Sequence, residues 1–180
     1  MSYNPDIHHR RSVRLREYDY AQAGLYFITI CVQNHKCVFG NIVNDEIILN
    51  EYGRMANDCW LEIPQHYQNV VLHEFVIMPN HIHGILEIAD VGVEYFRPDN
   101  ETGNKRVENI RPLRRPNCEP GTIGAIVRGF KIGVTKQIGY SIWQRNYHEH
   151  IIRNQNRHAI IVDYINNNPA KWENDRFYAN

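Results

Sequence analysis

The sequence predicts an α+β fold in which helices pack on an antiparallel sheet. Runs of apolar, β-branched and aromatic residues have the length and composition of strands. In other segments, apolar residues recur at the three- and four-residue spacing that is typical of helices. In chain order these segments read β-α-β-β-α-β, followed by one more helix. That order is typical of a ferredoxin-like sandwich, and the extra C-terminal helix is then expected to pack across the other side of the sheet.

The first half of the chain predicts a strand, a hairpin and a helix. Residues 25–32 form a continuous apolar run, which indicates a central strand buried on both faces. Residues 42–49 predict a small hairpin that turns at Asn44 and Asp45. Asn50 is placed to cap a helix that Pro64 ends. The apolar stripe of this helix is predicted to be core and comprises Tyr52, Met55, Ala56, Cys59 and Trp60.

The second half predicts two paired strands, at residues 70–77 and 81–88, joined by a turn at Pro79 and Asn80. Thr122 is placed to cap a second helix, and a short strand is expected within residues 141–152. A third helix is predicted from about residue 155 to residue 168, where Pro169 stops it.

Composition indicates one domain that spans residues 1–180, with 43% hydrophobic and 22% charged residues and a formal net charge of zero. We expect no membrane span and no leader peptide. The four cysteines include no CxxC pair and indicate the reducing cytoplasm.

Two segments outside the predicted core elements are rich in charged or polar residues. We expect a basic arm at residues 1–20 and a long variable loop at residues 89–121. Between residues 97 and 136, nine Lys and Arg face four Asp and Glu, a local net charge of +5.

Two histidines and a tyrosine-asparagine pair are the candidate chemical groups. Residues two apart on a strand share a face about 6.6 Å apart along it, so His81 and His83 are placed to bind one divalent ion. Tyr164 and Asn168 lie four apart on the third helix, so their side chains are neighbours. An amide oxygen suits Mg²⁺ or Mn²⁺. The residues alone leave other interpretations open: the histidines also suit a core or a surface, and the tyrosine also suits the core.

Three separated motifs carry a family resemblance: MPNHIHGI at residues 78–85, WQRNYHEHIIR at 143–153, and DYINNNP with the following KW at 163–172. Together, and in this order, they resemble the single-tyrosine HUH transposases, and more narrowly the REP-associated tyrosine transposases. The resemblance runs from about residue 26 to residue 172 and is weakest in the 89–121 loop.

The resemblance implies a role for each matching residue. His81 and His83 would bind Mg²⁺ or Mn²⁺, with Asn168 as the third ligand, and Tyr164 would be the nucleophile. The implied partner is single-stranded DNA beside a hairpin, cleaved and rejoined through a covalent 5′-phosphotyrosine. The implied assembly is a monomer or a homodimer, and in a dimer the terminal helix is able to serve the partner's site.

Further residues are candidate DNA contacts: Arg10, Arg11, Arg14, Arg128, Lys131 and Trp143. The cations would touch phosphates, and the tryptophan would stack on a base. Solvated faces for the cations and a core position for the tryptophan remain open. His148 and His150 form a second metal-like pair.

Two other functions compete with the transposase. The first is a domesticated HUH nickase that acts on genomic repeats. The second is a non-catalytic module that binds DNA hairpins.

Overall fold

The computed structural model describes residues 22–89 and 121–178. The predicted basic arm, with Arg10, Arg11 and Arg14, lies outside the described residues, as does nearly all of the predicted 89–121 loop. The strands are β1 (Gly24–Cys31), β2 (Gly40–Val43), β3 (Glu46–Leu49), β4 (Val70–Ile77), β5 (His81–Ile88) and β6 (His148–Ile152). The α-helices are α1 (Glu51–Leu61), α2 (Ile63–His66), α3 (Ile123–Ile138) and α4 (Gln155–Asn167). A 3₁₀ segment, Pro169–Asn174, follows α4.

The main sheet has the strand order β4-β5-β1-β6, and every neighbouring pair is antiparallel. β2 and β3 form a separate hairpin. With that hairpin set aside, the chain follows β-α-β-β-α-β, so the predicted ferredoxin-like α+β fold with an extra C-terminal helix is confirmed.

The two faces of the sheet are covered by different helices. Alternate residues of β5 point to opposite faces. Ile82 and Leu86 join the main core with Trp60 of α1 and Phe130 of α3. Ile85 points the other way and packs with Ile165 of α4. The alternation that sends Ile85 toward α4 also sends His81 and His83 to that face.

Gly84 lies between His83 and Ile85, and the packing at this position requires a residue without a side chain. It faces α1, and a Cβ added there would overlap the indole ring of Trp60. Trp60 is completely buried and also stacks against Phe75 of β4. The close approach of α1 to β5 therefore depends on the missing side chain.

The predicted helix caps are confirmed: the side chain of Asn50 accepts a hydrogen bond from the Gly53 amide, and that of Thr122 accepts from the Ala125 amide. Pro64 does not end α1 as predicted. α1 ends at Leu61, and Pro64 lies in the first turn of the short α2, where proline lacks no hydrogen bond that the helix needs.

Within the described ranges, no helix has the length and apolar character needed to cross a bilayer. Among the cysteines that the structure describes, Cys31, Cys37 and Cys59, none takes part in a disulfide.

Candidate active site

His81 and His83 stand side by side on the α4 face of β5. Their ring centroids are 4.4 Å apart, and both residues are buried. β1 fixes them from one side, since Cys31 is the register partner of His81 and Thr29 that of His83. The strand geometry therefore holds two imidazoles close together within the fold.

The protonation of His81 follows from Asn80. The Asn80 amide nitrogen donates to the backbone carbonyls of His35 (3.0 Å) and Phe177 (2.7 Å), which fixes its oxygen toward His81. That oxygen accepts at 2.8 Å from His81 Nδ1, so Nδ1 carries the proton and Nε2 carries a lone pair. Nε2 is buried and has no hydrogen-bond partner in the described part of the chain.

Tyr164 of α4 reaches this pair directly. Its hydroxyl lies 3.0 Å from His83 Nε2 and donates at 3.2 Å to a carboxylate oxygen of Asp175. Because the phenol has one proton and gives it to Asp175, His83 Nε2 must donate to the phenol oxygen. His83 Nδ1 then accepts from the hydroxyl of Thr29 at 2.8 Å.

Asp175 lies after the 3₁₀ segment and connects the tyrosine to Asn168. The same oxygen, Oδ2, accepts from the Asn168 amide nitrogen at 3.1 Å, and Oδ1 accepts from the Phe177 backbone amide at 2.6 Å. Asn168 is buried, and its side-chain oxygen has no hydrogen-bond partner among the described residues. One ligand atom each from His81, His83 and Asp175 lies within 4.8 Å of the others.

Burial keeps the two imidazoles neutral. It lowers the pKa of His81 from its ordinary 6.5 to about 4, and the neighbouring His35 contributes in the same direction. Burial also lowers the pKa of His83, with His81 adding to the effect. Burial, together with the Asp175 carboxylate, raises the pKa of the Tyr164 phenol to about 12. The phenol is therefore protonated when no cation is bound.

The donor set fits a divalent cation. The His81 lone pair and the Asn168 oxygen are buried acceptors without donors, and Asp175 adds a carboxylate beside them. Leaving buried acceptors unsatisfied costs about 1–3 kcal/mol each. Imidazole nitrogens with carboxylate and amide oxygens are ligands of Mn²⁺ and related ions. Asn80 holds the tautomer of His81 that ligation requires.

A cavity of about 190 Å³ opens beside Tyr164, between β1, β6 and the C-terminal segment. Its lining includes His148 and His150, which are paired with Thr29 and Phe27 of β1 and so share the face of His83. Arg176 is exposed at this cavity, with its guanidinium 4.6 Å from the centre of the Phe177 ring. The histidines of β6 therefore border the site next to the cluster of His81, His83 and Asp175.

Two proteins of known sequence are similar to this chain over most of its length. An uncharacterized protein of Haemophilus influenzae (strain ATCC 51907 / DSM 11121 / KW20 / Rd) is 44% identical, over 98% of this chain and 97% of its own length. Another protein of the same strain, which carries the name REP-associated tyrosine transposase, is 26% identical over 85% of this chain and 74% of its own length. The predicted resemblance to the REP-associated tyrosine transposases is therefore confirmed as a sequence similarity to a protein of that name. No protein-family model matches the sequence.

The solved structure of a REP-associated tyrosine transposase bound to a REP hairpin shares the fold. It superposes with a TM-score of 0.57, at 21% sequence identity, over 89% of this chain and 74% of that chain. Two of the motifs behind this resemblance lie at the site: MPNHIHGI forms the turn and the first part of β5, and DYINNNP ends α4.

Two of the predicted DNA contacts have different surroundings from those expected. Trp143 is 7% exposed, packs between Phe39 and Phe130, and donates its indole N–H to a backbone carbonyl of α3, so it is core and not a base-stacking platform. Lys131 is partly buried, and its ammonium donates to the carbonyls of Gln144 (2.8 Å) and Asn146 (3.0 Å). Burial lowers the pKa of Lys131 to about 8.

Arg128 is exposed, as expected, but α3 covers the sheet face opposite the histidine pair. Its contact with DNA stays a prediction.

Asp175, Thr29 and Asn80 are site residues that the sequence analysis did not predict. Asn80 lies inside the quoted motif, so its position next to His81 was a usable signal. Asp175 follows Asn168 by seven residues in a tail without periodicity, and only the fold brings its carboxylate to the histidines.

Proposed function

We propose that this protein is a metal-dependent transposase that cleaves and rejoins single-stranded DNA next to hairpins through Tyr164. The observation that carries the proposal is the position of the Tyr164 hydroxyl, 3.0 Å from His83 Nε2 and 3.2 Å from Asp175 in a cluster that fits a cation. Sequence similarity to a protein that carries the name REP-associated tyrosine transposase supports a DNA-processing role. A structural relative is described as bound to a REP hairpin, which supports hairpin DNA as the partner.

His81, His83 and Asp175, with the side-chain oxygen of Asn168, would hold Mg²⁺ or Mn²⁺. When bound, the ion supplies Lewis-acid polarisation of a phosphate oxygen and positive charge beside the phenol. Asn80 and Thr29 orient the two imidazoles from behind, as hydrogen-bond partners of metal ligands do in other sites.

Tyr164 acts as the nucleophile. Its phenol releases a proton to water, which it can reach because the side chain is 37% exposed. The phenolate oxygen attacks the scissile phosphorus, the bond from phosphorus to the 3′ oxygen breaks, and that oxygen takes a proton from water. The products are a 5′-phosphotyrosine and a free 3′-hydroxyl. Attack by a 3′-hydroxyl on the phosphotyrosine reverses the step and joins strands without another energy source.

Arg176 is placed to bind the DNA backbone beside the nucleophile. It is exposed on the cavity next to Asp175. A guanidinium suits phosphate oxygens because it presents a planar fork of donors.

The adduct assay tests the proposal. The full chain is incubated with single-stranded hairpin DNA and Mn²⁺ or Mg²⁺, and the covalent protein–DNA species is resolved by denaturing electrophoresis. We expect an adduct with the wild type and none with Tyr164→Phe or His81→Ala. Tyr178→Phe is the matched control, since Tyr178 is 40% exposed in the same C-terminal region and contacts Trp172. An adduct with Tyr164→Phe would remove the nucleophile, and hairpin binding without an adduct in either metal would favour a non-catalytic hairpin-binding module.

The Tyr164 hydroxyl lies 3.0 Å from Nε2 of His83 in its own chain, which supports a site that one chain completes. We therefore propose cleavage in cis, which a monomer can perform. Mixing Tyr164→Phe with His81→Ala protein checks this. Recovery of the adduct in the mixture would show that the tyrosine serves a partner's histidines.

A further inference from the structure

A second cluster of histidine and carboxylate side chains lies on the same face of the sheet, away from the proposed active site. His73 and Glu74 of β4 face His158 of α4, and one ligand atom from each lies within 4.8 Å of the others. The two imidazole centroids are 5.9 Å apart, with the rings nearly perpendicular at 81°.

A β-bulge makes this arrangement possible. Leu72 pairs with Leu86 and Phe75 pairs with Gly84, so β4 has two residues, His73 and Glu74, where β5 has one. In a regular strand, neighbouring side chains point to opposite faces. A bulge adds a residue and redirects side chains, which allows both His73 and Glu74 to meet α4.

Two side-chain atoms of the cluster residues are buried without a hydrogen-bond partner in the described part of the chain. Glu74 Oε2 and His158 Nε2 are buried and, within the described ranges, form no hydrogen bond. Glu74 and His158 each offer one ligand atom to the 4.8 Å group. A direct hydrogen bond between them would satisfy both, and the geometry does not supply one. A buried carboxylate oxygen without a partner is costly, and a cation bound by the cluster would remove that cost.

We propose that His73, Glu74 and His158 form a binding site for Zn²⁺. Two imidazoles and one carboxylate are a recurrent zinc ligand set. Glu87 Oε2 lies 2.8 Å from His73 Nε2 and orients the imidazole, as carboxylates do for metal-bound histidines. Glu87 shares the β5 face of His81 and His83, which explains why the cluster also faces α4.

The site clamps the helix that carries Tyr164. His158 and Asn168 are ten positions apart along α4, which corresponds to about 15 Å of helix. Between them the helix packs on the sheet through Ile161, Val162 and Ile165. A metal bound by His158 would therefore fix the first turns of α4 to the edge strand β4. The other end of α4, with Tyr164 and Asn168, would be held by the separate cluster of His81, His83 and Asp175.

Zinc binding by variants tests the proposal separately from DNA cleavage. The background is the full chain with His81→Ala and His83→Ala, which removes the active-site imidazoles. Zn²⁺ is added, excess is dialysed away, and bound zinc is measured by atomic spectroscopy. We expect His158→Ala or Glu74→Gln in this background to lose about one zinc per chain. His66→Ala changes an exposed histidine of α2 and is expected to lose none.

Two further readouts keep the test decisive. Circular dichroism in EDTA verifies that each variant folds. If His158→Ala does not fold, Glu74→Gln carries the test, because glutamine has nearly the same shape as glutamate. Zn²⁺ should raise the melting temperature of the background protein, and this rise should vanish in Glu74→Gln. Equal zinc content in the background and in the folded Glu74→Gln variant would overturn the proposal, whether or not the protein cleaves DNA.

Discussion

Acidification of the metal-free protein is expected to lower its free energy of unfolding, because His81 is buried in the sheet as a neutral imidazole. Its pKa is lowered to about 4 from an ordinary value of 6.5. A histidine whose pKa is lower in the folded state contributes stability above pH 6.5 and loses it as the pH falls toward 4, since the unfolded chain binds the proton first.

The size of the effect follows from the two pKa values. A difference between 6.5 and about 4, at about 1.4 kcal/mol for each tenfold change in proton affinity, amounts to about 3 kcal/mol in full. Between pH 7.5 and pH 5, about 2 kcal/mol of this is lost. His83, whose pKa is also lowered by burial, adds in the same direction.

Urea unfolding in EDTA at pH 7.5, 6 and 5, followed by tryptophan fluorescence, measures this loss. His81→Gln keeps a donor for Asn80 and removes the titrating ring, so its free energy of unfolding should fall by about 2 kcal/mol less than that of the wild type over this range. His66→Gln, at an exposed position, should follow the wild type. Parallel losses in wild type and His81→Gln would show that the buried imidazole does not take up the proton on unfolding.

Three other substitutions extend the tests to packing, DNA contact and metal binding. Gly84→Ala should destabilise the protein by about 1–3 kcal/mol, because the added methyl overlaps an indole ring in the core, and thermal melting measures it. Arg176→Ala should weaken hairpin DNA binding and reduce the slope of log K against log salt by about one, whereas Lys131→Met should leave the slope unchanged, as fluorescence anisotropy at several salt concentrations will show. Asp175→Asn should weaken Mn²⁺ binding at least about tenfold by calorimetry, and Asp163→Asn, on the exposed side of α4, should not.

The framework of the fold was predictable because it rests on local signals. Strand alternation and helical periodicity are read within a few residues, and they indicated the order of elements correctly. The caps at Asn50 and Thr122 are equally local, since each bonds an amide three residues ahead. The histidine pair and Tyr164 were selected by motif, and the structure brings them together although 81 residues separate His83 from Tyr164.

The failures share one cause, which is that contacts distant in sequence decide the environment of a side chain. Helical spacing placed Lys131 off the apolar stripe, toward solvent or DNA, but the segment with Gln144 and Asn146 returns over α3 and accepts hydrogen bonds from its ammonium. The same return buries Trp143 against α3. Asp175 has no pattern around it, and its carboxylate matters only because the tail after α4 turns back onto β5.

The proposed function also assigns a role to the hydroxyl of Thr29, which the family motifs do not include. In the network described here His83 Nε2 carries a proton and donates it to the Tyr164 oxygen, while Nδ1 accepts from Thr29. Ligation through Nε2 requires the opposite tautomer, with the proton on Nδ1. A hydroxyl can donate or accept, so Thr29 satisfies Nδ1 of His83 in either tautomer. The oxygen of Asn80 only accepts, and it therefore fixes His81 in one tautomer.

The two histidines thus differ in their readiness to bind a metal. His81 already has a free lone pair on Nε2, whereas His83 gains one when its Nε2 stops donating to the phenol. Release of Tyr164 from His83 and preparation of the ligand are then the same proton rearrangement.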